Sequence, residues 1–298
     1  MEYRNIFLAN PAKLSIRQKQ LVIHQEQQFT VPLEDLSAIL IESQQVTVTS
    51  AALSAMAESG ITVYLCDPQH TPDAVILPAS QYCRQRKLLL AQFSLSKPLQ
   101  KQLWQDIVRQ KIRNQATCLR LLKKTQFEEL EALADTVHSG DSDNREAVAA
   151  SFYFPALFGS EFSRGTDNLQ NAALNYGYAI LRGCIARNLV MHGLEPCLGL
   201  HHCNEQNRFN LADDLIEPYR PLVDLFVSSR VACTGELTPG LKQQLFNLTS
   251  FLVQQGSRKF RVMTAVGRCC ASLAACVTQQ ARRLELPELI SLEQRVSE

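Results

Sequence analysis

Several features that mark specialised classes of protein are missing or scarce in this 298-residue sequence. No apolar run approaches the ~18 residues that a membrane-spanning helix requires, so we expect no membrane partner. The first residues, MEYRNIFLANPAK, carry charge early and have no apolar core, which excludes a secretory signal and favours a cytoplasmic location. No CxxC pair occurs among the ten cysteines. We therefore expect most of them to act as small buried hydrophobes in a reducing compartment.

A zinc site is the alternative use of some of these cysteines. The candidates are Cys197, Cys203, Cys269 and Cys270 together with nearby histidines. Their spacings match no familiar zinc pattern, so the sequence does not favour this interpretation.

The sequence also lacks a large net charge, since its formal net charge is only +1. That average hides strong segregation. Residues 84–124 hold 11 Lys or Arg and one acid, residues 125–150 hold seven acids and one Arg, and residues 258–283 hold six Lys or Arg and no acid. Segregated charge suits a nucleic-acid footprint. Solvated helix faces explain such runs equally well.

Two textures divide the chain near residue 80. Before it, short alternating runs broken by turn-forming residues are typical of β-strands, with one short helix expected at 50–59. After it, the apolar residues recur at helical spacing. The sequence predicts an α+β fold, in which a small N-terminal β-sheet domain with one short helix (residues 1–79) precedes a larger all-helical domain (residues 80–298).

The helices of the second region are expected to be long and amphipathic. They are predicted at residues 81–96, 97–124, 144–157, 168–189, 212–228, 239–252 and 257–285. In the second of these, Arg109, Arg113, Arg120 and Lys124 would form one basic stripe.

The most informative stretch covers residues 199–224, GLHHCNEQNRFNLADDLIEPYRPLVD. His202 and Glu217 flank a predicted helix that Asn210 is placed to cap. Asp214 and Glu217 stand at i and i+3, on one face of that helix. Imidazole and carboxylates together suit a divalent ion that faces an oxygen-rich substrate such as a phosphodiester.

This stretch resembles the His-bearing motif of the CRISPR adaptation integrases, the larger of the two proteins that insert spacers into CRISPR arrays. RQKIRNQATCLRLL resembles a basic helix of that family, and NREAVAASFYFPALFG resembles its glutamate-bearing helix. The length and the residues between the two motifs are most similar to the type II systems. The likeness covers nearly the whole chain.

The resemblance implies a metal site on three helices. Its ligands and catalytic residues would be Glu146, His202 and Glu217, and the ion would be Mg²⁺ or Mn²⁺. His202 would either bind the ion or assist proton transfer. Of Asp213 and Asp214, the sequence favours Asp214, on the same helix face as Glu217, as a residue that supports the ligands or at times binds the ion itself.

Each of these residues has a simpler explanation in the sequence alone. Glu146 completes a D-x-x-E capping box that would start its helix without any metal. His202 is interpretable as a core histidine bonded to a backbone carbonyl. Glu217 is near enough to pair with an arginine, either Arg220 or Arg187.

The resemblance also implies a role for the basic residues. Arg164 would steady the scissile phosphate, although it is also placed to cap a helix or to pair with Asp167. The residues expected to grip DNA phosphates elsewhere are Arg84, Lys87, Arg109 and Arg113.

Metal-assisted phosphoryl transfer is the implied reaction: the 3′ hydroxyl of a short DNA fragment attacks a phosphodiester of the CRISPR repeat. The implied partners are double-stranded DNA, a second copy of the chain bound through the β domain, and the small CRISPR adaptation protein, in a bacterial cytoplasm. Two other classes stay open, namely a metal-dependent nuclease for branched DNA outside CRISPR and a DNA-binding scaffold without catalysis.

Overall fold

Two four-stranded sheets form most of the N-terminal region in the computed structural model, which describes residues 4–77 and 85–294. One sheet has the order β1-β5-β7-β8 and the other the order β4-β3-β2-β6. The strands are β1 Arg4–Leu8, β2 Lys13–Arg17, β3 Gln20–His24, β4 Gln28–Pro32, β5 Leu36–Ile41, β6 Thr47–Val48, β7 Thr62–Cys66 and β8 Pro72–Ile76.

The first sheet is covered on both faces. Strand β5 pairs in parallel with both β1 and β7, and β7 pairs antiparallel with β8. Along β5, Ile39 and Ile41 enter a small core with the second sheet, whereas Ala38 and Leu40 enter the large helical core. Because successive side chains of a strand point to opposite faces, a sheet between two cores needs apolar residues at nearly every position. This explains the run AILI.

The second sheet is antiparallel through β2, β3 and β4, and β6 pairs with β2 in parallel. The helix predicted at 50–59 is confirmed as α1, Ser50–Glu58. Thr49 is its N-cap, since the Thr49 hydroxyl accepts a hydrogen bond from the Ala52 N–H at 3.3 Å. Met56 on this helix is fully buried in the small core.

The second region is predominantly helical, so the predicted α+β fold class is confirmed. Among its described helices, α3 and α6 are the longest, and most of their buried residues belong to the large core. The helices are α2 Gln85–Phe93, α3 Lys97–Leu121, α4 Phe127–Asp135, α5 Arg145–Phe158, α6 Leu169–Met191, α7 Asn210–Leu215, α8 Arg220–Arg230, α9 Pro239–Phe246 and α10 Val262–Val277.

The helix predicted at 212–228 is broken in two. Helix α7 ends at Leu215, a 3-10 turn follows at Glu217–Tyr219, and α8 starts at Arg220. Pro218 is the cause, since proline lacks an N–H and disfavours helical geometry in the residue before it. The predicted cap is also shifted by one position, because Asn210 is the first helical residue rather than the cap.

A β-hairpin is the departure from a wholly helical second region. Strands β9, Leu252–Gln255, and β10, Arg258–Arg261, pair antiparallel across a turn in which Gly256 has φ +62°. The helix predicted at 239–252 therefore ends at Phe246, and the one predicted at 257–285 begins only at Val262. Helix α4 was not predicted.

Polar contacts join the two regions. The Tyr64 hydroxyl donates to the Ile180 carbonyl at 2.9 Å, and the Lys242 ammonium pairs with the Glu42 carboxylate at 2.5 Å. The predicted boundary between residues 79 and 80 lies outside the described residues. Within the described residues, none of the helices combines the length and apolarity needed to cross a membrane.

Candidate active site

Three separate elements carry the residues expected to bind metal. Glu146 lies in the first turn of α5, His202 in the segment between α6 and α7, and Glu217 at the start of the 3-10 turn before α8. Glu217 is almost fully buried, while Glu146 and His202 are partly accessible. The site therefore has a closed side at Glu217 and an open side at the other two residues.

Lys111 of α3 lies between the two glutamates. Its ammonium nitrogen is 2.6 Å from Glu146 Oε1 and also makes an ion pair with Glu217 Oε2. Only 9% of Lys111 is exposed. Burial disfavours its charge, but Glu217 and Glu146 outweigh that cost and raise the pKa of the Lys111 ammonium. Both carboxylates thus converge on one cation.

Arg220 supplies a second cation to the buried glutamate. Its Nε is 2.9 Å from Glu217 Oε1. Burial raises the pKa of Glu217, but Lys111 and Arg220 more than offset this, and the net pKa lies below its ordinary value. The simpler explanation of Glu217 as a partner of Arg220 is confirmed as a contact, and Arg187 instead donates to the Gly60 carbonyl.

Asp214 fixes the position of His202. Its fully buried carboxylate accepts hydrogen bonds from the backbone N–H groups of Leu200 at 2.6 Å and of His201 and His202 at 3.1 Å each. His202 Nδ1 lies 2.7 Å from Asp214 Oδ1, so Nδ1–H donates and Nε2 points away from Asp214. This hydrogen bond, against the opposing effect of burial, raises the pKa of His202.

The surroundings of this loop leave little freedom. Trp104 of α3 stacks on His201 with ring centroids 4.2 Å apart and meets the His202 ring edge-on at 5.9 Å. A side chain at Gly199 would collide with the His202 carbonyl. The alternative of His202 as a core residue bonded to a backbone carbonyl is not what the structure shows.

The start of α5 does not use the expected capping box. Asp141, two residues before Asp143, accepts the N–H groups of Arg145 at 2.8 Å and of Glu146 at 3.1 Å. The carboxylate of Glu146 is therefore not engaged in capping and is available to Lys111.

A divalent ion fits the chemistry of these donors, which are two carboxylates and an imidazole with its Nε2 directed away from its support. The Lys111 ammonium shows that a cation is stable between Glu146 and Glu217. In the described part of the chain, however, no three His, Cys, Asp or Glu side chains are placed to hold an ion together. Asp214 and Glu217, expected on one helix face, have different partners because the helix ends between them.

The basic stripe on α3 is largely occupied by α4. Arg109 donates to the carbonyls of Ala134 at 3.3 Å and Val137 at 3.2 Å, and Arg113 pairs with Asp135 at 2.9 Å. The segregated charges at 84–124 and 125–150 thus partly neutralise each other in the fold. Of the other expected phosphate contacts, Lys87 is exposed on α2 and Arg84 lies outside the described residues.

Arg164 contacts amides rather than Asp167. It donates to Asn171 Oδ1 at 2.5 Å and to Asn175 Oδ1 at 2.7 Å. Together with Arg182 and Arg220 it lines an open cleft. Asp67, Asp73 and Asp213 line the same cleft, so its charge is mixed. Arg220 also pairs with Glu217, which places this cleft beside the candidate site.

Lys111 and Asn114 were missed by the sequence analysis. Both lie on the buried side of α3, where Asn114 donates to the carbonyls of Pro218 at 2.6 Å and Pro287 at 2.9 Å. A signal was present, since Lys111 lies between the apolar residues Val108 and Ile112, which are both buried. A lysine there requires buried acidic partners.

Comparison with known proteins agrees with this architecture. The structure of a casposase bound to an integration product superposes with a TM-score of 0.78 at 18% identity, covering 100% of this chain and 96% of that one. A chain of a Cas6-RT-Cas1–Cas2 complex gives a TM-score of 0.71 at 17% identity, covering 99% of this chain and 36% of that one. At such identities these likenesses establish the fold alone, an α+β architecture that this chain shares with both.

Sequence comparison then identifies the family. Residues 6–260 match the model of the CRISPR associated protein Cas1 family. The CRISPR-associated endonuclease Cas1 of Neisseria meningitidis serogroup C (strain 8013) is 45% identical over 300 residues, covering 99% of both chains. This chain belongs to the Cas1 family, which confirms the resemblance found in its motifs.

Proposed function

We propose that this protein is a metal-dependent DNA endonuclease and integrase that inserts short DNA fragments into a CRISPR array. The observation that carries the proposal is the convergence of Glu146 and Glu217 on a single cation, beside a cleft whose lining includes Arg164, Arg182 and Arg220. Membership of the Cas1 family supports it, as do a relative named as an endonuclease and a structural neighbour bound to an integration product.

In the proposed reaction the 3′ oxygen of the incoming fragment forms a bond to phosphorus, and the bond from phosphorus to the departing 3′ oxygen breaks. The number of phosphodiester bonds is unchanged, so the exchange consumes no nucleoside triphosphate. The proton of the attacking hydroxyl leaves, and the departing oxygen gains one. With water as the attacking group, the same centre cuts DNA.

The residues have separate tasks in this scheme. Glu146, Glu217 and Nε2 of His202 would hold Mg²⁺ or Mn²⁺, which would polarise the phosphodiester and stabilise charge on the departing oxygen. Asp214 keeps the imidazole of His202 in one tautomer and one orientation. Arg164, Arg182 and Arg220 line the cleft in which the charged backbone of a DNA strand would lie.

The proposed partners are double-stranded DNA, a second copy of this chain and the small CRISPR adaptation protein. The structural neighbour that contains Cas2 supports the last of these. A dimer through the β region would cover Phe29, an exposed aromatic residue on the edge strand β4.

A DNA-binding scaffold without catalysis is the second candidate. It is favoured by one observation, namely that Lys111 and Arg220 already balance the charge of the two glutamates. In that case the ion pairs would be purely structural.

Strand transfer on a branched DNA substrate distinguishes the two. The wild type and His202→Ala would be compared in Mn²⁺ and in EDTA, with and without the small adaptation protein. We expect Mn²⁺-dependent joining that EDTA and the substitution both abolish while DNA binding persists. Binding without any metal-dependent chemistry would instead identify a scaffold.

A further inference from the structure

The ammonium of Lys111 occupies a position defined by two opposite charges. It touches one carboxylate of α5 and one of the 3-10 turn, and these elements have no hydrogen bond with each other at this point in the described contacts. Because α3 supplies the lysine, one side chain connects three parts of the site. The backbone at Lys111 is held in place because its neighbours on α3, such as Ile107 and Ile112, are buried in the large core.

Two carboxylates this close to one point repel each other unless positive charge lies between them. A divalent ion bound by Glu146 and Glu217 would satisfy the same requirement at the same place. The ion and the ammonium carry charge of the same sign, so they repel strongly in a partly buried site. They cannot occupy the space between these carboxylates at the same time.

We propose that Lys111 and the divalent ion alternate between Glu146 and Glu217, so that metal binding displaces the Lys111 ammonium. This inference rests on the proposed function, because it concerns the ion which that function requires. Lys111 is then a positioning residue that holds both carboxylates in place before the metal arrives. Its flexible four-carbon chain allows the charged end to move while the helix stays where it is.

The displacement lowers the apparent affinity for metal, because only molecules in which the ammonium has moved away can bind the ion. Replacing Lys111 with an apolar residue of similar length removes the competitor. The metal-free protein then keeps an acidic pair without its bridging cation, and is less stable. Metal binding should restore this stability, because the ion supplies the positive charge between the two carboxylates that the lysine had supplied.

The test is Mn²⁺ titration of metal-free full-length protein, following free Mn²⁺ by electron paramagnetic resonance and the melting temperature in parallel. Lys111→Met is compared with wild type and with Lys242→Met. Lys242 is a matched control, since it is also buried and pairs with a carboxylate, Glu42, at 2.5 Å in another part of the molecule. Glu217→Gln identifies binding at the site itself.

For Lys111→Met we expect at least about tenfold tighter Mn²⁺ binding than for wild type, given competition of this kind. Its melting temperature should be lower without metal and should rise more with Mn²⁺ than that of wild type. Lys242→Met should melt lower as well, but with an unchanged Mn²⁺ affinity and an unchanged response to Mn²⁺.

Equal or weaker Mn²⁺ binding by Lys111→Met would overturn the inference and leave the proposed function standing. Absence of Mn²⁺ binding by wild type and by Lys111→Met alike would overturn both. A second measurement uses wild type alone, in case the variant does not fold. Amine-specific labelling read by mass spectrometry should show faster modification of Lys111 when Mn²⁺ is added and no change at Lys242, and equal labelling of Lys111 in both conditions would contradict displacement.

Discussion

Two buried lysines of this protein meet carboxylates in different surroundings. Lys242 and Glu42 form a close pair, and both are nearly inaccessible, with the half-exposed His70 ring 3.6 Å from the same Glu42 oxygen. Lys111 is shared by two glutamates, one of which also contacts Arg220, and the Glu146 side chain is 28% exposed. A closed pair fixes how the β region meets α9. A shared lysine with an open side leaves an approach for another ligand, so burial alone does not distinguish a structural ion pair from a functional one.

Removing one carboxylate from each place should separate the two roles most strongly. Glu217→Gln should reduce strand joining by more than the roughly 10–100-fold that loss of a supporting residue costs a metal site. Glu42→Gln should leave joining near the wild-type rate, because its carboxylate lies with Lys242 rather than at the site. Single-turnover joining in Mn²⁺ measures both, with circular dichroism to verify folding. Similar losses of activity in the two variants would remove the distinction.

The closed pair should dominate stability. Lys242→Met leaves Glu42 buried without its ammonium partner and with only the His70 ring 3.6 Å away, and breaking such a pair costs about 3–5 kcal/mol of unfolding free energy. Urea denaturation measures the change. The matched control is Lys259→Met, whose partner Glu293 is exposed, so its denaturation midpoint should stay close to that of wild type. A loss below about 1 kcal/mol for Lys242→Met would show that this pair does not hold the two regions together.

A third buried carboxylate sharpens the comparison, because its hydrogen-bond partners are neutral. Asp224 accepts a hydrogen bond from the Tyr153 hydroxyl at 2.9 Å and another from Tyr178. Burial, against the opposing effect of these hydroxyls, raises the pKa of Asp224 to about 6. A carboxyl with a raised pKa contributes stability below its unfolded pKa of ~4, and this is lost as pH rises through the folded value near 6.

In wild type the unfolding free energy should therefore fall by on the order of 3 kcal/mol as the pH rises from 4 to beyond 6. Asp224→Asn should not show this fall. Denaturant titrations across that range compare the variant with wild type. Asp135→Asn, which alters an exposed partner of Arg113, is the control. An identical pH profile for wild type and Asp224→Asn would contradict the assignment.

The smallest effect is expected on the outer face of α3. Arg113→Ala breaks an exposed ion pair with Asp135 and should cost no more than about 1 kcal/mol of stability. If Arg113 also contacts a phosphate, the slope of log affinity against log salt should fall by about 1. An unchanged slope would identify Arg113 as a partner of α4 alone and remove it from the expected DNA contacts.

The parts of the fold with local signals were accessible from the sequence. The helical spacing of residues 50–59 predicts α1, and the apolar run in β5 is explained by a sheet that lies between two cores. The hairpin at Gly256 was hidden because residues 252–261 lie between helical patterns and have no alternation strong enough to compete with them. The break after α7 had a signal in Pro218 that the helical spacing overrode.

Only part of the candidate site could be predicted from the sequence. Glu146, His202 and Glu217 came from motifs, and their roles as ligands stay predictions. Lys111 could not be assigned partners from spacing, since Glu146 is 35 positions away and Glu217 is more than 100. The pairing of α3 with α4 likewise depends on tertiary packing. Charge runs that look like one exposed basic surface in the sequence become a mutually neutralised pair of helices.

The anchoring of His202 by Asp214 has a consequence for how the loop between them can change. Three backbone N–H groups and the imidazole all donate hydrogen bonds to Asp214, a side chain of α7. The position of His202 is therefore set by that helix and not by the segment between His202 and α7. The turn around Glu205 and Gln206 is exposed. Relatives of this protein are therefore free to lengthen or shorten that turn, and its length is a poor guide to whether the histidine remains in place.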